Sequence, residues 1–475
     1  MDTVDERSKI PNLMRIGEIP SDMQMDYDTI PEDPVVNTQT FTRFVLSNRG
    51  FLDSNSKVIV GVSANASATV NALATLPAGV GAHALVDRVA LRIGTTVVSE
   101  ITDYQSWMGY KSTFIDNEIN LERETYLTSR IMNHEMLYKD NEDGLQSDVS
   151  ASQYGISTNN EYIMDSNGQT GNLVPQVELR NVNSAEFSLS VADLVPWLRF
   201  NNLPLYMFGD TQVSLEIHWT DRLAAGRMSL SGAVGVGTGQ SFDIDTSLTQ
   251  FYANYIFYPG EIMEQFQEQN RRMDWSYTDY RMNKRSFVGS DLEQQQLIRI
   301  GGNGRIVNKV VSMVEHQTGA LIPDGDKRML NNYTSVAPLD VGNNTQVMTT
   351  NAIVNNMRLY PIDRSSPSIH YHDVIATEGN VPQITRAEYS RGGQGITTVR
   401  TYNEYTQSDV DDGLDGQFFY IGYRLNQNAR VNENGITLQI QYGDLTAADT
   451  YIHRAYIEIV ANATLENGKF STGLA

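Results

Sequence analysis

Two stretches near the C-terminal end of the chain alternate apolar and polar residues with a period of two. In the first, apolar residues at 436, 438, 440 and 442 alternate with Thr437, Gln439 and Gln441. In the second, Ala and Ile residues at 455, 457, 459 and 461 alternate with Tyr456, Glu458, Val460 and Asn462. Successive side chains of a strand point to opposite faces, so this period is typical of half-buried antiparallel strands rather than of a helix.

The same alternation recurs along the chain and defines its fold class. The predicted strands lie at 57–64, 88–93, 187–191, 212–219, 251–258, 296–300, 306–315 and 417–425. Long polar inserts at 140–175, 221–246 and 320–415 separate them. Many short strands with few helices predict an all-β chain of two tandem antiparallel sandwiches, of which the eight-stranded jelly roll is one form. The two blocks share a layout, but no residue-level repeat links them.

A division of the chain into four parts follows from this pattern. The 475 residues suggest two or three domains. Residues 1–40 are an acidic, proline-punctuated arm, expected to be extended or ordered only against a partner. Residues 41–260 form the first β block and 291–475 the second. Between them, 261–290 is a connector, because Ile262, Phe266 and Met273 among polar residues predict an amphipathic helix from Gly260 to Trp275.

Composition excludes several classes of function. The chain has 57 acidic and 35 basic residues and a net charge of -22, which disfavours nucleic-acid binding over the whole surface. It has no cysteine, which excludes disulfides, thiolate catalysis and cysteine-ligated zinc and fits a reducing compartment. No apolar run approaches the ~20 residues of a membrane helix. The first residues also lack the order expected of a secretion signal.

Three motifs are candidates for binding chemistry. His370-Tyr371-His372, followed by Asp373, predicts two imidazoles on one side of an extended segment. They are a zinc pair lacking further visible ligands or, as we favour, exposed loop histidines. The acidic run from Asp409 to Asp415 resembles a calcium loop but has glycine at two ligand positions, so a solvated loop is favoured and an irregular cation site stays open. The glycines at 235, 237 and 239 fit no phosphate-binding pattern.

No set of residues resembles an active site. The remaining histidines are single, and His218 lies on the polar side of its strand, where it is expected to be solvated. Neither a nucleophile elbow nor a metalloprotease or kinase pattern is present. We therefore predict no catalytic, cofactor-binding or metal-binding residues, no cofactor and no enzyme activity.

One local cluster is basic: Arg271, Arg272, Arg281, Lys284 and Arg285. The favoured interpretation is a cationic helix end with salt bridges to neighbouring acids. The alternative is contact with an acidic surface, such as the N-terminal arm of a neighbouring copy.

Several segments, in order, resemble a known family. They are the strand and turn from Phe44 to Asp53 followed by Ser56-Lys57-Val58, the strand pair 85–104, the segment 189–219 with Leu203-Pro204-Leu205, the aromatic strand Tyr255 to Tyr258 with the following helix, and the ending 461–470. Their order and spacing are similar to those of the double jelly-roll major capsid proteins of icosahedral DNA viruses, in particular virophages, polinton-like elements and large eukaryotic DNA viruses. The 221–246 and 320–415 inserts match nothing in that pattern.

The resemblance implies a structural protein that forms homotrimers, and these pseudo-hexagonal capsomers tile a virion shell. Its partners would be neighbouring capsomers, minor capsid, penton or cement proteins, and an inner membrane below the shell, with little direct nucleic-acid contact. Assembly would take place in the host cytoplasm or nucleus.

The alternative is a carbohydrate-binding β-sandwich of the lectin or viral fibre type. The 24 tyrosines and amide-rich loops favour it. Against it, Trp107, Trp197, Trp219 and Trp275 form no visible exposed cluster, because three of them lie in or next to strand or helix patterns.

Overall fold

The computed structural model describes residues 26–64, 72–75, 81–112, 114, 176–179, 185–199, 202–209, 211–220, 229–231, 242–269, 272–316, 349–365, 367–379, 420–425, 430–442, 450–466 and 469–474. All statements about structure concern these residues.

The first sandwich comprises residues 26 to 257. Its strands are β1 Asp26–Glu32, β2 Val36–Asn37, β3 Phe41–Leu46, β4 Phe51–Leu52, β5 Lys57–Ala64, β6 Ala72–Thr75, β7 Val86–Ile93, β8 Thr96–Thr102, β9 Gln176–Leu179, β10 Ala185–Ser190, β11 Leu203–Pro204, β12 Val213–Trp219, β13 Ser229–Ser231 and β14 Phe242–Phe257. Its helices are α1 Tyr104–Ser112 and α2 Val191–Leu194, with short 3₁₀ turns at Gly81–Leu85, Pro196–Arg199 and Leu205–Phe208.

Two antiparallel sheets make up this sandwich. One has the order β10-β5-β14-β4-β11, with β1 also paired to β14, and the other the order β2-β3-β12-β7-β8. Strands β13, β6 and β9 form a small third sheet. The rings of Phe44 on β3 and Phe251 on β14 lie 5.7 Å apart, so the two larger sheets pack face to face over a shared core.

The second sandwich comprises residues 272 to 474 and follows helix α3, Gly260–Gln269. Its strands are β15 Arg272–Val288, β16 Gln296–Gly301, β17 Ile306–His316, β18 Thr349–Val354, β19 Met357–Arg358, β20 Ile421–Arg424, β21 Ile436–Gln441, β22 Thr450–Glu466 and β23 Lys469–Leu474. Its helices are α4 Gly289–Leu292 and α5 Pro367–Glu378. One sheet has the order β15-β22-β17-β20, with β23 paired to β22, and the other the order β16-β21-β18-β19.

The two sandwiches repeat one topology. The path β1-β14-β5-β10 in the first corresponds to β15-β22-β17-β20 in the second, and β3-β12-β7-β8 corresponds to β16-β21-β18-β19. Helix α1 follows β8 just as α5 follows β19. The repeat is therefore one of strand pairing, although the residues themselves show no repeat.

The two C-terminal period-two patterns are confirmed as strands β21 and β22, and Ile436, Leu438 and Ile440 of β21 are fully buried. Of the predicted strand 417–425, residues 417–419 lie outside the described residues. Strand β12 differs from expectation because both of its faces are largely buried. Glu216 on the polar side binds Arg92 at 2.7 Å, and His218 lies 4.7 Å from the ring of Phe41. The prediction of a solvated His218 is wrong, because neighbouring side chains half-bury it, and burial lowers its pKa.

Other local predictions also require correction. The helix from Gly260 ends at Gln269, and from Arg272 the chain is β15, which pairs with β22 over its whole length. The side chains of Met273, Trp275 and Tyr277 are buried and alternate with exposed ones, so this segment is a strand and not a continuation of the helix. The predicted connector helix is therefore wrong beyond Gln269.

Two predictions of irregular structure are wrong in part. Residues 26–32, expected to be extended or ordered only against a partner, form the extended strand β1 and are ordered by pairing with β14 of the same chain. The 320–415 insert contains β18, β19 and α5. The division into arm, two β blocks and connector stays a proposal.

Candidate functional site

The described residues place their largest group of buried charges where the two sandwiches meet. We call this contact the seam. It is formed by residues Val98–Lys111 of the first sandwich and by the side chains of β15, β17, β22 and α5 that bind them.

At one end of the seam, two side chains of β15 bind the free edge of β8. Tyr277 donates its hydroxyl to the carbonyl of Val98 at 2.9 Å. The carboxylate of Asp279 lies 3.4 Å from the backbone N–H of Glu100 and 3.3 Å from the hydroxyl of Ser99. An edge strand otherwise exposes unpaired backbone groups that can pair with other chains. Here the second sandwich satisfies them.

Asp279 is a buried acid with an altered affinity for protons. It is almost fully buried and has an ion pair with Arg281 at 2.9 Å. Burial raises the pKa of Asp279 to about 6, because the charge of Arg281 and the hydrogen bonds only partly offset the loss of water.

Asp103 ties the turn between β8 and α1 to the second sandwich. It has a positive φ of 48°, which is uncommon for a residue with a side chain. Its carboxylate binds Arg454 and Lys284, each at 2.7 Å, and its carbonyl accepts from the hydroxyl of Tyr456 at 2.8 Å. Burial opposes the charge on Asp103, but the two cations lower its pKa below the usual value. The carboxylate of Asp103 therefore compensates the charge of the buried Arg454 side chain.

At the other end, two lysines and two glutamates form a neutral cluster. Glu378, at the end of α5, binds Lys111 at 3.0 Å and Lys309 at 2.7 Å. Lys309 also binds Glu458 at 3.2 Å. The hydroxyl of Tyr110 donates to Glu378, and that of Tyr280 to Glu458 at 2.8 Å. Glu378 thus binds groups on both sides of the seam, whereas the partners of Glu458 all belong to the second sandwich.

The proton affinities in this cluster follow from its charges. Burial opposes ionisation of Glu378, but Lys111 and Lys309 overcome it and lower its pKa to about 2. Burial lowers the pKa of Lys111, which has one carboxylate partner and Lys309 as a like charge nearby. Lys309 has two carboxylate partners, which outweigh burial and raise its pKa. The charged forms of Glu378 and Lys309 are therefore the ones that this cluster stabilises.

A cavity of about 230 Å³ opens beside this cluster, lined by Asn308, Lys309, Thr377, Glu378, Gly379, Arg424 and Glu458. Both of its carboxylates already bind lysine, and Arg424 donates to the carbonyl of Ala376 at 3.2 Å. These groups are engaged in holding the seam together, so the arrangement stabilises a contact rather than activating a nucleophile.

Aromatic rings fill the rest of the seam. Trp107 lies 5.2 Å from Tyr280, and Tyr110 lies 4.9 Å from Tyr420. Trp197 lies 6.0 Å from Trp275 across the same boundary. All four tryptophans, Trp219 included, are buried. None is therefore available as a sugar-stacking platform, which counts against the carbohydrate-binding alternative.

The structure separates the two histidines of the predicted pair. They lie on helix α5 rather than on an extended segment, so that part of the prediction is wrong. His370 is buried at 1% exposure, whereas the side chain of His372 is 81% exposed. In the described part of the chain, no group of three or more His, Asp or Glu residues is arranged to hold a metal ion. The Asp409 to Asp415 run and the glycines at 235, 237 and 239 lie outside the described residues.

The basic cluster has partners within the chain. Arg272 binds Asp274 at 3.1 Å, Arg281 binds Asp279, and Lys284 binds Asp103. Arg271 lies outside the described residues. These pairs favour the salt-bridge interpretation, and contact with a neighbouring copy stays a prediction. Among the described helices, none is long and apolar enough to cross a membrane.

Sequence reasoning did not find the seam. Lys309 and Glu458 occupy ordinary polar positions of alternating strands, and Lys111 and Glu378 lie in segments that were not assigned to helices. The only local signal was the basic group at Arg281 and Lys284. Which charges meet depends on how the two sandwiches pack.

Comparison with solved structures decides what the repeated topology is. A chain of the quasi-atomic model of the PBCV-1 virus capsid matches with a TM-score of 0.55 at 12% identity, over 95% of this chain and 97% of that one. PBCV-1 VP54, fitted into a cryo-EM reconstruction of the virophage Sputnik, matches with a TM-score of 0.55 at 11% identity and the same coverage. These are double jelly-roll capsid proteins. This chain folds as a double jelly roll.

A third structure has the same double jelly roll. A chain of the 3.5 Å structure of the Sputnik virophage matches with a TM-score of 0.51 at 11% identity, over 95% of this chain and 88% of that one. No protein-family model and no curated protein matches the sequence. The first sandwich is one jelly roll and the second sandwich the other, and the seam joins the two rolls.

Proposed function

We propose that this protein is the major capsid protein of an icosahedral DNA virus. In this proposal three copies form a pseudo-hexagonal capsomer, and capsomers tile the virion shell. The observation that carries it is the pair of repeated jelly rolls held as one body by the buried seam, in a chain that aligns over 95% of its length with the PBCV-1 capsid chain. A capsomer transmits force between its neighbours in the shell, and a seam of buried ion pairs and packed aromatic rings couples its two rolls for that task.

The role is structural and not enzymatic in this proposal. Both glutamates of the seam cavity are bound by lysines, which supports a stabilising role for the charges. The net charge of -22 repels phosphate backbones, which supports leaving genome contact to other proteins or to an inner membrane. Neighbouring capsomers and minor, penton or cement proteins are the expected partners.

The test is the assembly state of the purified chain. Light scattering after size exclusion should give the mass of three copies, and electron microscopy should show triangular or hexagonal capsomers. A monomer at every concentration and salt would contradict the proposal.

A further inference from the structure

Three loops meet at one end of the second roll. The first loop, 301–305, joins β16 to β17, the second, 355–356, joins β18 to β19, and the third, 430–435, precedes β21. Because β21 pairs with β16 on one side and with β18 on the other, the three loops lie side by side. Their asparagines form a group that we call the amide cluster: Asn303, Asn355, Asn356, Asn432 and Asn434.

Side chains of the amide cluster bind the loops to one another. Asn434 of the third loop donates its side-chain N–H to Oδ1 of Asn356 in the second loop at 3.0 Å. Asn303 of the first loop donates to the backbone carbonyl of Glu433 in the third loop at 2.7 Å. The third loop is therefore held on both sides by amide hydrogen bonds, as asparagine side chains commonly hold turns.

The cluster contains two asparagines that are followed by glycine, in the pairs Asn303-Gly304 and Asn434-Gly435. Such pairs are prone to spontaneous deamidation, because glycine has no side chain to hinder its backbone nitrogen. That nitrogen attacks Cγ of the asparagine, the side-chain nitrogen leaves as ammonia, and a cyclic imide forms. Water then opens the imide to aspartate or isoaspartate. The net change is amide plus water to carboxylic acid plus ammonia.

The turn itself requires glycine after Asn434. Gly435 has a φ of 73°, and a Cβ at this position would lie 2.4 Å from Oδ1 of Asn303 and 2.8 Å from the carbonyl oxygen of Gly301. Any other residue would be strained and would collide with its neighbours. The reactive pair is thus fixed by the fold, and its chemical stability depends on its contacts.

Hydrogen bonds engage the attacking nitrogens of both pairs. The N–H of Gly435 donates to the carbonyl of Asn432 at 3.1 Å, and that of Gly304 to the carbonyl of Val431 at 2.8 Å. A nitrogen whose proton is bound in this way cannot reach the preceding Cγ until the bond opens. The closed loops therefore oppose the reaction at both asparagines.

Opening of the loops removes this protection. Asn303 and Asn434 are exposed residues, so water reaches them as soon as the hydrogen bonds break. Surface loops open locally at a lower free energy than the whole fold does. The rate of deamidation is then the rate of the unstructured chain multiplied by the open fraction of the loops.

We propose that Asn434 and Asn303 are latent deamidation sites, which the amide cluster keeps closed and which opening of the three loops makes reactive. Deamidation of Asn434 replaces the N–H donor by a carboxylate oxygen, which repels Oδ1 of Asn356. The loops then no longer close as before, so modification of Asn434 promotes that of Asn303. The pair of sites thus keeps an irreversible chemical record of loop opening.

The first test compares the folded chain with the chain in urea, both incubated at the same mildly alkaline pH. Peptide mass spectrometry with electron-transfer fragmentation measures aspartate and isoaspartate at each asparagine. Asn303 and Asn434 should deamidate at least about tenfold more slowly in the folded chain. Equal rates in the two samples would overturn the proposal.

The second test is Asn356→Gly, with Asn356→Asp as the matched control. Asn356 has a φ of 64°, which glycine and aspartate both adopt, but only aspartate keeps an oxygen acceptor for Asn434. Loss of this hydrogen bond should speed deamidation of Asn434 about fivefold, while Asn356→Asp matches the wild type. A wild-type rate in Asn356→Gly would refute the control of this site by the amide cluster.

The third test is Asn434→Asp, which reproduces the aspartate product. Asn462→Asp adds the same charge at an exposed position of β22 and is the control. Asn303 should deamidate about fivefold faster in Asn434→Asp than in Asn462→Asp, because the third loop has lost its bond to the second. Equal rates at Asn303 would overturn the coupling of the two sites.

Discussion

The hydroxyl of Tyr277 donates to the carbonyl of Val98 at 2.9 Å, across the boundary between the two rolls. Together with Asp279 it binds the edge of β8, which no other described strand pairs. A side chain of one roll thus replaces the next strand of the other. The coupling of the two rolls depends on such contacts, and each can be tested alone.

Tyr277→Phe should lower the free energy of unfolding by about 1–3 kcal/mol, because it leaves a buried carbonyl without a donor. Urea denaturation followed by fluorescence measures this. Tyr258→Phe is the matched control, since that ring packs on Phe51 and Phe266 near α3 and not on the seam. Equal effects of the two substitutions would show that the Val98 contact contributes nothing specific.

Asp279 should make the protein more stable in mild acid. Its pKa is raised to about 6 when folded, from 3.8 when unfolded, so its contribution is fully present below about pH 4 and is lost as the pH rises through 6. The change amounts to about 3 kcal/mol. The difference in unfolding free energy between wild type and Asp279→Asn, measured from pH 4 to 7.5, should shift by this amount in favour of the variant. Asp274→Asn, at an exposed site, should give a flat difference.

Glu378→Gln should destabilise the protein by about 3–5 kcal/mol, because Lys111 and Lys309 lose a buried counter-charge. Lys309 keeps Glu458 as a partner in this variant, so adding Lys111→Met removes the ammonium group that is left without a carboxylate and should restore part of the loss. Thermal and urea unfolding of both variants measure this. Glu264→Gln, on the exposed face of α3, should change stability by less than about 0.5 kcal/mol. No recovery in the double variant would argue against charge coupling across the seam.

Buried His370 should destabilise the fold in acid. Burial lowers its pKa to about 4, so its contribution is present above about pH 6.5 and is lost as the pH falls toward 4. The loss is about 1.4 kcal/mol per pH unit within that window. The stability difference between wild type and His370→Gln should therefore narrow on acidification. His372→Gln, which changes an exposed imidazole two residues away on the same helix, is the matched control.

Sequence reasoning predicted strands well where alternation was regular. Strand β21 begins at the predicted residue, Ile436, and β12 begins one residue after the predicted 212, because one face of each consists of uninterrupted apolar side chains. The helix prediction was wrong at Trp275, because the spacing of apolar residues that begins at Gly260 extends past the end of the helix into β15. Helix and strand patterns overlap over a few residues, and pairing with β22 decides between them.

The seam could not be predicted in the same way. Glu378 and Lys111 are 267 residues apart, and either would be an ordinary surface charge in isolation. His370 and His372 show the opposite case. Their spacing suggested a metal site, but on helix α5 the first imidazole is buried and the second is exposed. Long-range packing determines both outcomes, and a single sequence does not report it.

Helix α3 joins the rolls covalently, and this has a consequence for the chemistry of each contact. The ten helical residues of α3 keep the two rolls at a high effective concentration. The seam therefore does not have to supply the free energy that it costs to bring two separate molecules together. It can therefore tolerate buried ions, whose desolvation offsets much of their attraction. Separate copies have no tether and must gain their affinity from surface burial. The ionic contact between the rolls therefore depends on the covalent connection through α3, which separate copies lack.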